Sequence, residues 1–219
     1  MESLAIILKL HTPEELVFYS NIAHWIEGAI FLVVAGIALV QIFGYWKDKP
    51  YLWPSLILIA GLFLPIFSYI HHWNELALAW QATIYDPQQR QHMFMAILMS
   101  IAGFSELVRL KYQKPGWKFI LPLVLVTIGV FFLTHPQHGT SEAVMQATLI
   151  HKYLGSVLVL SGIFRGAEMV WSNRKWLAYP WIIFLTIAAL LLISYREPAG
   201  AYMPVDQNTP QMNGGGHMQ

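Results

Sequence analysis

The 219-residue chain predicts an all-α fold, a polytopic integral membrane bundle of about six transmembrane helices. Three observations carry that prediction. The chain is 56% hydrophobic and 11% charged, whereas a soluble domain carries about 25% charge. Six apolar stretches approach or exceed the roughly 20 residues that cross a bilayer. The basic residues gather in alternate connections, as the loops of a spanning protein do.

The six stretches are Val17–Gly44, Tyr51–Ile70, His92–Leu110, Phe119–Thr134, Ala143–Val170 and Trp176–Ser194. The first is introduced by Thr12, Pro13, Glu14 and Glu15: a capping hydroxyl, a proline whose missing N–H costs nothing there, and acids facing the positive helix end. Asp86-Pro87 gives the same start to the third, and Ser141-Glu142 to the fifth. These starts precede the apolar runs by several residues, so the odd-numbered helices begin above the membrane. The second and fourth are entered through Lys49-Pro50 and Lys114-Pro115, and the sixth through a segment ending at Pro180. Before the first span, Leu4–Leu8 is too short for a secretory h-region and follows Glu2, so the first spanning helix is expected to act as its own targeting signal.

Lysines and arginines orient the chain. Lys47, Lys49, Arg109, Lys111, Lys114, Lys118, Arg165, Arg174 and Lys175 lie where odd helices hand over to even ones; Lys9, Arg90, Lys152 and Arg196 lie at the other face. Nine against four places the first set in the cytoplasm. Both termini then face a periplasm or its equivalent, across a bacterial inner membrane or similar bilayer. The spanning domain covers residues 1–196, and 197–219 read as a flexible outward-facing tail holding Met203, Met212, His217 and Met218.

All nine histidines, His11, His24, His71, His72, His92, His135, His138, His151 and His217, fall on the outward half of this topology. The chain also reads as three helix pairs, each opening with a histidine (His24, His92 or His151) ahead of an apolar run. Asn21, His24 and Glu27 recur at i, i+3, i+6 along one face, and an acid inside a span calls for a partner. Gln88, His92, Met95 and Met99 share a face of the third stretch.

The absence of cysteine removes disulfides, thiolate metal sites and thiol nucleophiles. A metal would therefore fall to His24, Glu27, His71, His72, His92, His135, His138 and His151. Imidazole suits copper, zinc and iron, and an oxidising compartment with nearby methionines points to copper. His11 and His217 read as bystanders. On a helix His71 and His72 cannot both point one way, so one of them is spare. Haem b, held by two histidines on facing helices, is the alternative cofactor.

Glu106 with Arg109, and Glu168 with Arg165, read as inner-boundary ion pairs joining the third and fifth helices, or else as a proton path. The near-zero net charge indicates no nucleic-acid partner. The partners expected are the lipid bilayer, a metal ion, and other membrane subunits or copies of the chain. The function expected is outward-facing metal capture, handling or redox chemistry. Its alternatives are a His-rich oxidase or hydroxylase acting on a lipid-soluble substrate, a haem redox subunit, and a non-catalytic subunit of a larger complex.

His92-x-x-Met95 followed by Gly103 and Glu106, then His135-x-x-His138, then His151 with Gly155 and Glu168, resembles the transmembrane protein 45 family over roughly residues 23–170. His24-x-x-x-Gly28 is similar to that family's first helix. The family has His-x-His where this chain has His-x-x-His, a slightly shorter loop to the last histidine, and one helix more. Its biochemical role is poorly defined, so the resemblance implies a polytopic fold and the histidine constellation rather than an activity.

Overall fold

The computed structural model describes residues 7–70, 72–113 and 115–203. The helices are α1 (Pro13–Ile42), α2 (Leu52–Ile70), α3 (Leu76–Tyr85), α4 (Pro87–Tyr112), α5 (Ile120–Leu133), α6 (Ser141–Val170) and α7 (Ala178–Ser194). Short 3-10 helices at Pro115–Phe119 and Lys175–Leu177 lead into α5 and α7. There are no strands among the described residues; a single bridge pairs Gly139 with Ala201. Six of the helical segments, all but α3, are long and apolar enough to cross a membrane. The protein is an all-α polytopic helix bundle.

The starts follow local chemistry. Thr12 forms a full capping box: its hydroxyl accepts from the Glu15 N–H at 3.3 Å, and the Glu15 carboxylate accepts from the Thr12 N–H at 2.9 Å. Asp86 accepts from the Gln89 N–H at 2.8 Å, with Pro87 at the first helical position. The cap of α6 is Thr140, one residue earlier than the Ser141 start read from the sequence, and it accepts from the Ala143 N–H. Helix α3 has no counterpart among the stretches picked out in the sequence; it fills the connection between α2 and α4.

The spans form a closed ring, each packing on the next and α7 returning to α1. The closest neighbours are α2 with α4, α5 with α6, and α7 with α1. The duplication read in the sequence has consecutive pairs opening at His24, His92 and His151; these tight pairs are offset from it by one helix. Small residues set the tight seams, because lipid supplies no hydrophobic drive between helices and close van der Waals packing must replace it. A Cβ on Gly103 would lie 2.4 Å from the Leu58 backbone nitrogen. Gly129 and Gly155 face each other, each blocking a Cβ on the other at 2.6–2.7 Å from its carbonyl oxygen. Inward-facing Val34, Leu121, Leu158 and Ala188 are buried, while Ile59, Leu62, Ile97, Leu123, Ile183 and Leu190 face outward, where the bilayer would cover them.

Candidate functional site

The segment before α1 and the segment after α7 pack at the same end of the ring, and three buried imidazoles and the half-buried His92 lie near it. His24 comes from α1, His92 from α4, His151 from α6, and His135 from the α5–α6 connection. Ring centroids are 6.3 Å apart for His24 and His92, 6.1 Å for His24 and His151, 4.6 Å for His92 and His135, and 4.9 Å for His135 and His151. Tyr195, just beyond α7, lays its ring 4.3 Å from His24 and 5.5 Å from His151.

Their hydrogen bonds fix the tautomers. Each helical histidine turns Nδ1 back onto the carbonyl one turn earlier: His24 onto Ser20 at 2.7 Å, His92 onto Gln88 at 3.0 Å, and His151 onto Ala147 at 2.8 Å. A carbonyl oxygen can only accept, so Nδ1 carries the proton and Nε2 the lone pair. His135 repeats the arrangement through a side chain. Gln91 donates its amide N–H to the Phe131 carbonyl at 3.1 Å, which leaves its Oε1 to accept from His135 Nδ1. No described residue hydrogen-bonds any of the four Nε2 atoms, and that of His135 is fully buried. Burial, reinforced by the neighbouring His92 and His151 rings, holds the His135 imidazole well below its ordinary range.

Among the described residues, no three His, Asp or Glu side chains form a group that could hold a metal ion as they stand. The ring spacings can still be set against a filled site: two imidazoles bound to one ion at about 2.0–2.1 Å put their centroids roughly 4.5–6.5 Å apart, depending on the angle between them. The four spacings fall within that interval.

The remaining candidate ligands are placed differently. His138 Nε2 meets the buried Asp86 carboxylate at 2.5 Å and so ties the α5–α6 connection to the start of α4. His72 pairs with His11 through their Nε2 atoms at 2.6 Å, near the terminal end. His71 lies outside the described residues, as do His217 and the rest of the tail from 204 onward. Glu27 lies one turn deeper than His24, half-buried, with no hydrogen bond or ion pair to a described residue. It lines a central cavity of about 160 Å³ together with His24 and His92.

The segment after α7 contributes residues that the sequence reading did not single out. Ser20 Oγ donates to Glu197 at 2.6 Å, the Glu197 N–H donates to Asn21 Oδ1 at 2.8 Å, and Gln88 Nε2 donates to the Tyr202 hydroxyl at 3.0 Å. The Ser20 carbonyl that holds His24 is thereby braced by a carboxylate 177 residues away. Burial raises both Tyr195 and Tyr202 well above the ordinary phenol range. The available signal for this strap was its composition: Tyr195, Glu197 and Tyr202 stand directly after a span on the histidine side.

At the opposite end a second buried cluster is made of charges. Glu106 accepts from Arg109 at 2.6 Å and lies 3.4 Å from Arg165, which donates to Glu168 at 2.6 Å. The Arg165 guanidinium sits between Trp181 at 4.8 Å and Trp53 at 5.5 Å.

No protein-family description matches this chain, and no curated protein or solved structure matches it either.

Proposed function

We propose that the protein is a membrane metal-binding protein whose ligands are the Nε2 atoms of His24, His92, His135 and His151. One observation carries the reading. All four imidazoles turn Nδ1 onto a protein acceptor, which leaves four neighbouring Nε2 lone pairs that no described residue hydrogen-bonds, that of His135 fully buried. Leaving the buried His135 acceptor unsatisfied is costly, and a cation shared with the neighbouring imidazoles resolves it. A histidine that ligates a metal through one nitrogen ordinarily donates its other N–H to a carbonyl or carboxylate in this way.

Copper is the first choice among the ions, because an imidazole set without thiolates binds it most strongly of the divalent series. Met95 and Met99 lie buried in the same cavity wall. The rings would have to turn about their Cβ–Cγ bonds to aim at one point. The distribution of lysine and arginine supports placing this end at the outer face, where the protein would capture an ion, hand it on or cycle its charge. The resemblance to transmembrane protein 45 fits this reading, since His24, His92, His135 and His151 all belong to the shared pattern.

The test is metal content and an optical spectrum of detergent-purified protein, loaded with Cu(I), Cu(II) or Zn(II) and then desalted. His92→Ala and His151→Ala should each lower retained metal by at least about tenfold, and His11→Ala should not. No retained metal in the wild type, or equal retention in all the variants, overturns the reading.

A further inference from the structure

Helix α3 has ten residues, about half the roughly 20 that cross a bilayer. It carries three distinct faces. Ala79 and Ala82 are buried on its inner side, and with Thr83 they line the central cavity. Leu76, Trp80 and Ile84 recur at i, i+4 and i+8 as one stripe, and all three are exposed, as is Trp73 in the turn just ahead. Gln81 and Tyr85 form the neighbouring exposed stripe. Two contacts hold the helix in this rotation. The hydroxyls of Thr83 and Tyr69, near the end of α2, meet at 2.8 Å, and Arg90 of α4 donates to the Ile84 carbonyl at 2.7 Å.

Trp73, Leu76, Trp80 and Ile84 are 41–71% exposed, an apolar face on a helix whose inner side is already packed. What this face joins indicates what covers it. Helix α2 presents Ile59, Leu62, Ile66 and Ile70 outward at helical spacing, and Trp73 follows Ile70 by three residues. Helix α4 presents Phe94, Ile97, Ile101 and Phe104 in the same way. Both rows belong to segments long and apolar enough to cross a membrane. The α3 stripe stands in the chain between them, and tryptophan is enriched where a bilayer meets water. We infer that α3 is a membrane-interface helix, with Trp73, Leu76, Trp80 and Ile84 covered by lipid of the leaflet at the histidine end and Gln81 in water. The helix that lines the cavity from inside is thereby held from outside by the bilayer. None of this depends on a metal.

The chain has no cysteine, so single cysteines can be placed in the full chain and labelled with a nitroxide. The variants are Leu76→Cys, Trp80→Cys and Ile84→Cys on the stripe and Gln81→Cys beside it. Ile97→Cys, in the outward row of α4, is the lipid reference, and Lys47→Cys, in the connection after α1, is the water reference. In phosphatidylcholine–phosphatidylglycerol vesicles, collision rates are read with oxygen, which concentrates in lipid, and with a nickel chelate, which stays in water. The oxygen-to-nickel ratio on the stripe should be several-fold above that of Gln81→Cys, and nearer to Ile97→Cys than to Lys47→Cys. A ratio on the stripe no higher than that of Gln81→Cys overturns the inference. Low collision rates with both agents, together with spin–spin broadening that unlabelled protein dilutes away, overturn it as well, since a second copy would then cover the stripe. A measurement on the native side chains decides the matter should the labelled variants fail to fold. Lipids brominated high on the acyl chain should quench a larger fraction of tryptophan fluorescence in the wild type than in the double variant Trp73→Phe, Trp80→Phe, and equal fractional quenching overturns the inference.

Discussion

Two buried polar clusters lie in this bundle, fourteen residues apart along both α4 (His92 to Glu106) and α6 (His151 to Arg165), and they solve the problem of burial in opposite ways. Towards the basic end, Glu106, Arg109, Arg165 and Glu168 balance two negative charges with two positive ones. Its charges pair with each other and two tryptophans flank the central guanidinium, while the buried Arg165 Nε is left without a hydrogen bond to a described residue. Towards the terminal end, four imidazoles turn Nδ1 onto protein acceptors and leave four Nε2 atoms that no described residue hydrogen-bonds, that of His135 fully buried. A cluster whose opposite charges pair across helices ties those helices together. A cluster that leaves the same kind of atom without such a bond four times has room for a missing component. The contrast explains why the charged residues, the more conspicuous feature in the sequence, are the poorer candidates for chemistry.

The largest expected effect breaks the charged cluster. Arg165→Ala would leave Glu168 without its cation and the buried Glu106 with Arg109 alone, at a cost of about 3–5 kcal/mol. Thermal unfolding in detergent, followed by helical circular dichroism, should show a large fall in midpoint. Arg165→Lys should recover little of it, since a lysine cannot reproduce the forked contact to two carboxylates or the stacking on Trp181 and Trp53. His151→Ala should behave oppositely, losing metal with a much smaller change in the metal-free midpoint. Comparable destabilisation by both would mean that the imidazole cluster is structural as well.

A middle-sized effect should come from Asp86, the link between the imidazole end and the cap of α4. Its two carboxylate oxygens serve His138 and the Gln89 N–H, and it is completely buried. Asp86→Ala removes both contacts and should destabilise by about 2 kcal/mol. Asp86→Asn retains a capping oxygen and should restore part of the loss. If the two variants unfold alike, the His138 contact, and not the cap, accounts for the stability.

Much of this arrangement was legible because it is local. Thr12, Asp86 and the apolar periods announce α1, α4 and their neighbours within a few residues. The inner ion pairs lie three residues apart on single helices, and their cross-link, Arg165 to Glu106, follows once α4 and α6 are brought together across the ring. Helix α3 was hidden because its ten residues are too few to span and Glu75, at its start, makes no side-chain capping bond. The imidazole end was only partly readable. His24, His92 and His151 stand out by recurring ahead of apolar runs, but nothing in the spacing of His135 and His138 says which of them turns inward. That is decided by Asp86, 52 residues from His138, drawing one of them off. Similarly, Ser20 and Glu197 become neighbours only because the ring closes α7 against α1, and closure is a property of the whole bundle.

The smallest effect sharpens the comparison from the side of pH. Tyr202 is a buried residue of the strap, and its phenol is raised well above the ordinary value of 10.0. In the unfolded chain the phenol loses its proton near pH 10, while in the folded chain it keeps it. Above that pH the folded state therefore binds more protons than the unfolded state, and stability falls as pH rises. Between about pH 9 and 11 one such group should remove about 1 kcal/mol. Tyr202→Phe has no proton to lose, so its unfolding midpoint should decline less steeply than that of the wild type over this interval. The charged cluster contains no phenol, so Arg165→Lys should leave the alkaline slope as it is in the wild type. An alkaline slope that is the same in Tyr202→Phe as in the wild type would rule out Tyr202 as the sensitive group and leave Tyr195, the other raised phenol of the strap, to be tested by Tyr195→Phe.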